Sequence, residues 1–171
     1  QVLMNNALAQ GGKVVTMARF DLEQFLTLAQ DHKIKRAFVA PPIVLALAKH
    51  PMVADYDLSA LECVFSGAAP LGAELADEAS QRLGCEVVQG YGMTELSPVS
   101  HSTPTGMFKP GSIGVLIPST ECRIVDPETG NDLGIGEDGE IWIRGPQVMP
   151  GYLNNETATA ATIDADGWLH T

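Results

Sequence analysis

Apolar positions in the first two-thirds of the chain fall alternately into short β-branched runs and helix-spaced stripes. Val14-Val15-Thr16-Met17, preceded by Gly11-Gly12-Lys13, predicts a strand over Gly12 to Met17, and the ten residues before it read as the tail of a helix closing at Gly11-Gly12. Leu22, Phe25, Leu26 and Ala29 then lie on one helical face. Asp21 supplies an N-cap with Gln24 three residues on, and Phe20 and Phe25 stand where a hydrophobic staple packs. Arg36-Ala37-Phe38-Val39-Ala40 predicts the next strand, ended by Pro41-Pro42, with helical character resuming from Ile43 to Lys49. Glu62-Cys63-Val64-Phe65 gives a third strand, Ser66 to Pro70 a loop, and Leu75, Ala76, Ala79 and Leu83 the buried face of a helix closed by Gly84. Glu86-Val87-Val88-Gln89 is a fourth strand.

From Gly111 the texture changes. Thr120 to Val125 and the strongly alternating Gly139 to Arg144 read as strands around a turn through Asp126-Pro127-Glu128-Thr129-Gly130, and Thr157 to Ile163 as a short helix. The expected fold is α/β: a parallel-sheet βαβ layer over residues 1–110, followed by a small β-rich subdomain over residues 111–171. Ligands of parallel sheets sit beyond the carboxyl ends of the strands. Two glycine-rich loops, Ser66 to Pro70 and Gly90 to Thr94, fall at such ends, which points to a shared site.

With 171 residues, 45% hydrophobic and 18% charged, the chain can bury a core. Its 21 acids against 10 bases, without a Lys/Arg cluster, argue against nucleic acid or an anionic membrane as partner. A small anion remains compatible, because backbone N–H groups bind phosphate without a basic surface. The three cysteines are scattered and lack C-x-x-C spacing, which favours a reduced, cytoplasmic setting. No stretch approaches the roughly 18 uninterrupted apolar residues of a membrane span. Both ends read as cut, so the chain is expected to be a fragment whose open sheet edges favour a homodimer.

Several motifs reduce to plain structure. Gly134-Ile135-Gly136-Glu137-Asp138-Gly139 matches G-x-G-x-x-G, but it carries two acids and leads into a strand, so a loop is expected. Ser66 lies at a strand-to-turn junction, yet Val64 and Ala68 stand where the glycines of a nucleophile elbow belong. The four histidines show no metal-ligand spacing, and surface or cap roles are expected for most of them. Gln89-Gly90-Tyr91-Gly92-Met93-Thr94-Glu95 leaves two readings open. Its glycines permit positive φ or close approach of a ligand beside a hydroxyl and a hard oxygen ligand, which suits a nucleotide phosphate and magnesium; alternatively, Thr94 or Glu95 caps a helix after a tight turn.

That heptad followed by Leu96-Ser97-Pro98, together with Ser66-Gly67-Ala68-Ala69-Pro70-Leu71-Gly72, Gly139-Glu140-Ile141-Trp142-Ile143-Arg144-Gly145, Gly151-Tyr152-Leu153-Asn154 and Gly167-Trp168-Leu169-His170-Thr171, resembles the adenylate-forming acyl-CoA ligases, nearest to the 4-coumarate:CoA ligases. The resemblance covers nearly the whole chain in order. It implies the central part of the large N-terminal domain of an enzyme that activates an aromatic or fatty carboxylic acid with ATP and passes it to coenzyme A. Acceptors such as a carrier protein, or a non-catalytic nucleotide-binding module, are the alternatives.

Carried over by resemblance, Gly67, Ala68 and Ala69 would lie along the adenine, with Gln89, Gly90, Tyr91 and Gly92 walling the base and Met93 closing that surface. Thr94 would bond the α-phosphate and Glu95 would ligate magnesium. Ala68, Gly90, Gly92, Pro98 and Val99 would border the acyl pocket, with a contribution from Phe38 to Pro41. The family's phosphate loop would lie upstream of Gln1. Its ribose-binding aspartate and its lysine-bearing C-terminal domain would follow Thr171, so the chain alone is expected to be inactive.

Overall fold

In the computed structural model, which describes residues 2–171, helix α1 (Val2–Ala9) closes as expected: Gly11 takes φ +70°, and the Gly12 amide donates to the Ala7 carbonyl at 2.7 Å. The strand expected over Gly12 to Met17 is absent, and this segment runs as irregular chain. β-branched residues favour a pleated surface only where a neighbouring strand offers a ladder, and none lies beside these residues.

Helix α2 (Leu22–Asp31) is capped as its sequence requires, the Gln24 amide donating to Asp21 Oδ1 at 2.9 Å, with the Phe20 and Phe25 rings 5.9 Å apart. Three parallel strands follow, β1 (Arg36–Val39), β2 (Cys63–Ser66) and β3 (Glu86–Gln89), ordered β1-β2-β3. Strand β2 begins and ends one residue later than its hydrophobic run suggests. Between the strands lie α3 (Pro41–Lys49) and α4 (Ala73–Leu83), the latter closed by Gly84 in the left-handed conformation. The two prolines do not delay α3 to Ile43; they form its first turn, where a missing N–H leaves nothing unsatisfied and a fixed φ suits the helix.

Helices α3 and α4 cover one face of the sheet. Ala37, Val39, Val64 and Val87 point into that core and pack with Val44, Ala48, Ala76 and Ala79. The opposite face carries Phe38, which is 47% exposed and lies with its ring 5.8 Å from that of Phe65. Register aligns Val39, Ser66 and Gln89 in one row at the carboxyl edge, so both glycine-rich loops leave the sheet side by side.

Beyond β3 the chain makes β4 (His101–Ser102) and β5 (Val115–Leu116), paired antiparallel, then a second antiparallel sheet of β6 (Glu121–Val125), β7 (Glu140–Arg144) and β8 (Leu169–His170). Residues 134–139 form the expected loop into β7, and a short helix α5 (Glu156–Thr162) is capped by Asn155. A separate core of Leu96, Ile143 and Leu169 fastens the chain just after Glu95 to this second sheet. Among the described residues no helix is long and apolar enough to cross a membrane.

Candidate functional site

At the carboxyl edge of the parallel sheet the two loops are tied together by a buried side chain. The Leu71 amide donates to Gln89 Oε1 at 3.0 Å, and Gln89 Nε2 donates to the Leu71 carbonyl at 3.2 Å. Both polar atoms of the Gln89 amide are therefore committed to backbone. Gln89 shapes the site by holding Ser66–Gly72 against the loop that starts at Gly90, and the Thr103 hydroxyl adds a bond to the Gln89 carbonyl at 2.8 Å. Gly67 is anchored to β1 through its amide and the Val39 carbonyl, 3.0 Å apart. Ala68 and Ala69 follow as exposed residues, Ala68 in the left-handed region at φ +71°.

Of the two roles the sequence offers Gly90 and Gly92, positive φ is taken by neither, and close approach is used by the chain's own backbone. A Cβ on Gly90 would lie 2.6 Å from the His101 carbonyl oxygen and 2.9 Å from Phe65 Cζ, and one on Gly92 would run into the Pro98 carbonyl. The chain's own return segment, Pro98 to His101, occupies that side. Tyr91 sits between the glycines, its amide donating to the His101 carbonyl at 3.0 Å and its own carbonyl accepting from the amides of Ser100 and His101. The glycines thus let two backbones cross closely, which brings Pro98 and Val99 beside Gly92.

His101 is an exception to the surface or cap role expected for most of the histidines. It is 8% exposed, its Nδ1 lies 3.0 Å from Ser100 Oγ, and its ring meets Tyr91 edge-on with centroids 6.2 Å apart. Burial pushes its pKa below the usual histidine value, so it packs as the neutral imidazole. His50, in contrast, caps the 3₁₀ turn Pro51–Asp55. Ser66 is fully buried, with a hydroxyl that finds no partner among the described residues, and is no exposed nucleophile.

Thr94 and Glu95 do not cap a helix. They open a single 3₁₀ turn, Thr94–Leu96, flanked by Met93 and Ser97. Thr94 stands exposed beside exposed Gly92, while Leu96 at the end of the turn is fully buried. Glu95 is held between these neighbours. Its carbonyl accepts from the Met149 amide at 2.8 Å, and its Oε1 accepts from the Tyr152 hydroxyl at 2.7 Å. That phenol, followed by the residue's own backbone amide, holds the Glu95 carboxyl below the usual glutamate range against a small opposing effect of burial, so the group is ionised at neutral pH. Tyr152 is a site residue that motif reading did not single out. Its only sequence signal is its place in Gly151-Tyr152-Leu153-Asn154.

The one carboxylate at this end of the sheet that is both ionised and anchored is that of Glu95, a hard oxygen ligand. No cluster of three His, Cys, Asp or Glu residues exists among the described residues. A cavity of about 310 Å³ between Val53, Tyr56, Arg82 and Leu83 lies at the opposite edge of the sheet, near the start of β3. The Arg82 guanidinium there donates to the carbonyls of Ala48 and His50, so this hollow offers no free cation to an anionic ligand.

Residues 1–153 match the family model described as AMP-binding enzyme. The chain belongs to the AMP-binding enzyme family. Among curated members, 4-coumarate-CoA ligase 2 of Narcissus pseudonarcissus is 49% identical over 170 residues, and 4-coumarate–CoA ligase 2 of Oryza sativa subsp. japonica is 48% identical over 171 residues. Each match covers 96% of this chain and 30% of the relative, so the chain spans under a third of the length of these AMP-binding enzymes. In structure it is similar to the ATP-bound MatB of Rhodopseudomonas palustris, with a TM-score of 0.90 and 30% identity over 99% of this chain and 33% of that one. The α/β architecture is that of an adenylate-forming enzyme's N-terminal domain.

Proposed function

We propose that the chain is the central part of the adenylating domain of an ATP-dependent acyl- or aryl-CoA ligase. The observation that carries this reading is the pairing of exposed Thr94 with an ionised, anchored Glu95 at the carboxyl end of β3, in a chain nearly half identical to 4-coumarate–CoA ligases. On this reading the Tyr91 ring flanks adenine, with Gly67, Ala68 and Ala69 along its other side and Gln89, Gly90, Gly92 and Met93 framing the cleft. The carboxylate of an aromatic or fatty acid attacks the α-phosphorus of ATP. The new P–O bond replaces the one to pyrophosphate, and coenzyme A's thiol then attacks the acyl carbon and expels AMP.

Thr94 donates its hydroxyl proton to an α-phosphate oxygen as charge builds there, and Glu95 is the carboxylate that holds magnesium. Bound magnesium neutralises phosphate charge during transfer. Ala68, Gly90, Gly92, Pro98 and Val99, joined by Phe38 to Pro41, border the acyl chain; small and apolar groups there favour a ligand that gains by leaving water. Residues 1–110 and 111–171 act as two subdomains on this reading, stitched by the β4–β5 pairing across their junction. The open edges of the three-stranded parallel sheet support a homodimer, and the free state of all three cysteines supports a reducing, cytoplasmic setting.

The test is a panel of aromatic and fatty acids with the full-length enzyme, scored for pyrophosphate and acyl-CoA. Release of pyrophosphate only with ATP, magnesium and a hydrophobic acid together is expected. Pyrophosphate without acyl-CoA across the panel points to another acceptor, and no acid-dependent release refutes adenylation.

A further inference from the structure

Glu95 is fastened from three directions, and one fastening has no part in the reaction as written above. Leu96 buries the end of its turn, Met149 holds its carbonyl, and Tyr152 takes one carboxylate oxygen. Tyr152 lies 57 positions away in sequence and belongs to the segment before α5. Its approach is fixed by that segment: its amide donates to Thr159 Oγ1 at 2.9 Å, and the Thr159 hydroxyl donates to the Asn155 carbonyl at 2.9 Å. Gly151 takes φ +145°, and any Cβ there would strike the Thr159 side chain. Yet Tyr152 is 37% exposed and belongs to none of the buried apolar clusters, so packing does not account for its placement.

We propose that Tyr152 is the positioning residue for Glu95, donating its hydroxyl proton to Oε1 so that the carboxylate is held at one rotation and Oε2 is the oxygen left for the cation. The proposal rests on Glu95 being the magnesium ligand. A lone carboxylate on a 3₁₀ turn otherwise samples several rotamers, and a cation gripped by one protein oxygen depends on where that oxygen points. Hydrogen bonds to ligating carboxylates serve this purpose widely, and their loss costs roughly 10–100-fold in metal affinity. The bond is charge-assisted, a phenol donating to an ionised carboxylate, which makes it strong enough to select a rotamer.

The experiment uses the full-length enzyme with manganese as a paramagnetic stand-in, titrated in the presence of a non-hydrolysable ATP analogue and followed by the electron paramagnetic resonance of free manganese. Tyr152→Phe is expected to raise the manganese dissociation constant roughly ten-fold, with metal-free binding of the analogue unchanged. A manganese affinity equal to that of the parent overturns the proposal, as does an equal loss of metal-free analogue binding, which marks a general distortion. Glu95→Gln separates the two layers of the argument. If it too leaves manganese binding unchanged, the assignment of Glu95 fails; if it weakens binding while Tyr152→Phe does not, only the role of Tyr152 fails. Should Tyr152→Phe not fold, Thr159→Val is measured the same way, since it keeps the phenol and frees the backbone beneath it. Weakened manganese binding then supports the proposal and unchanged binding overturns it.

Discussion

Single residues in the two loops divide into those the fold needs and those it leaves exposed, which the proposed function assigns to a ligand, and substitutions should sort them. Thr94 is exposed, so Thr94→Val should leave the melting temperature unchanged while lowering pyrophosphate–ATP exchange about 10²–10³-fold, the scale for loss of one donor aimed at developing charge. Normal exchange would remove Thr94 from the reaction. Gly67 and Gly92 make a sharper contrast. Nothing lies within 4 Å of a Cβ on Gly67, whereas one on Gly92 meets the Pro98 carbonyl. Gly67→Ala should therefore fold as the parent does and, on the proposed function, weaken AMP binding. Gly92→Ala should destabilise by roughly 1–3 kcal/mol in chemical denaturation, because a crossing of two backbones cannot relax around a methyl group. Equal stability of the two variants would contradict the assignment of these glycines.

At the level of elements, the loop Ser66–Gly72 is held near its start by the Gly67 amide on Val39 and near its end by the Gln89 side chain on Leu71. Gln89→Met keeps the volume and strips both partners from Leu71. Each buried backbone group left alone costs about 1–3 kcal/mol, so amide hydrogen exchange at Leu71 should accelerate sharply while the β2–β3 ladder stays protected. Unchanged exchange at Leu71 would show that the loop stands without Gln89. How much of this was legible in sequence follows from which interactions are local. The cap of Asp21, the left-handed Gly84 and the apolar stripes of α2 and α4 are settled within a few residues, and they stand as expected. The segment Gly12 to Met17 depends on a strand partner that no local pattern reveals, and Pro41-Pro42 carries the same local signal whether it stops a strand or forms a helix's first turn. At the site, the residue types at Gly90 to Glu95 were legible, but the partners that explain them, Pro98, His101 and Tyr152, arrive through tertiary crossing.

For the molecule as a whole, acid response separates a buried histidine from a surplus of carboxylates. The chain carries a formal charge of −11, so mild acidification relieves self-repulsion and, taken alone, steadies the folded state. His101 works in the other direction. Burial among Tyr91, Ser100 and the crossing backbone lowers its pKa below the ordinary 6.5, so as pH falls through 6.5 the unfolded chain takes a proton that the folded chain resists. The unfolded state then binds more protons, and stability falls with pH until the depressed native value is reached. Above 6.5 both states are neutral at this position and the contribution is flat. Glu95, Glu121, Asp126 and Asp164 have lowered pKa values and act later, losing stability only as pH drops through the carboxylate range. From pH 8 down to pH 5 the denaturation midpoint of the parent should therefore lose ground relative to that of His101→Asn, which keeps the charge effect but lacks the buried imidazole, while the loss in the carboxylate range below is common to both. Parallel curves for parent and variant across this window would mean that His101 takes up its proton as readily in the fold as in the open chain, and that the crossing of Tyr91 and His101 is wetter than its packing implies.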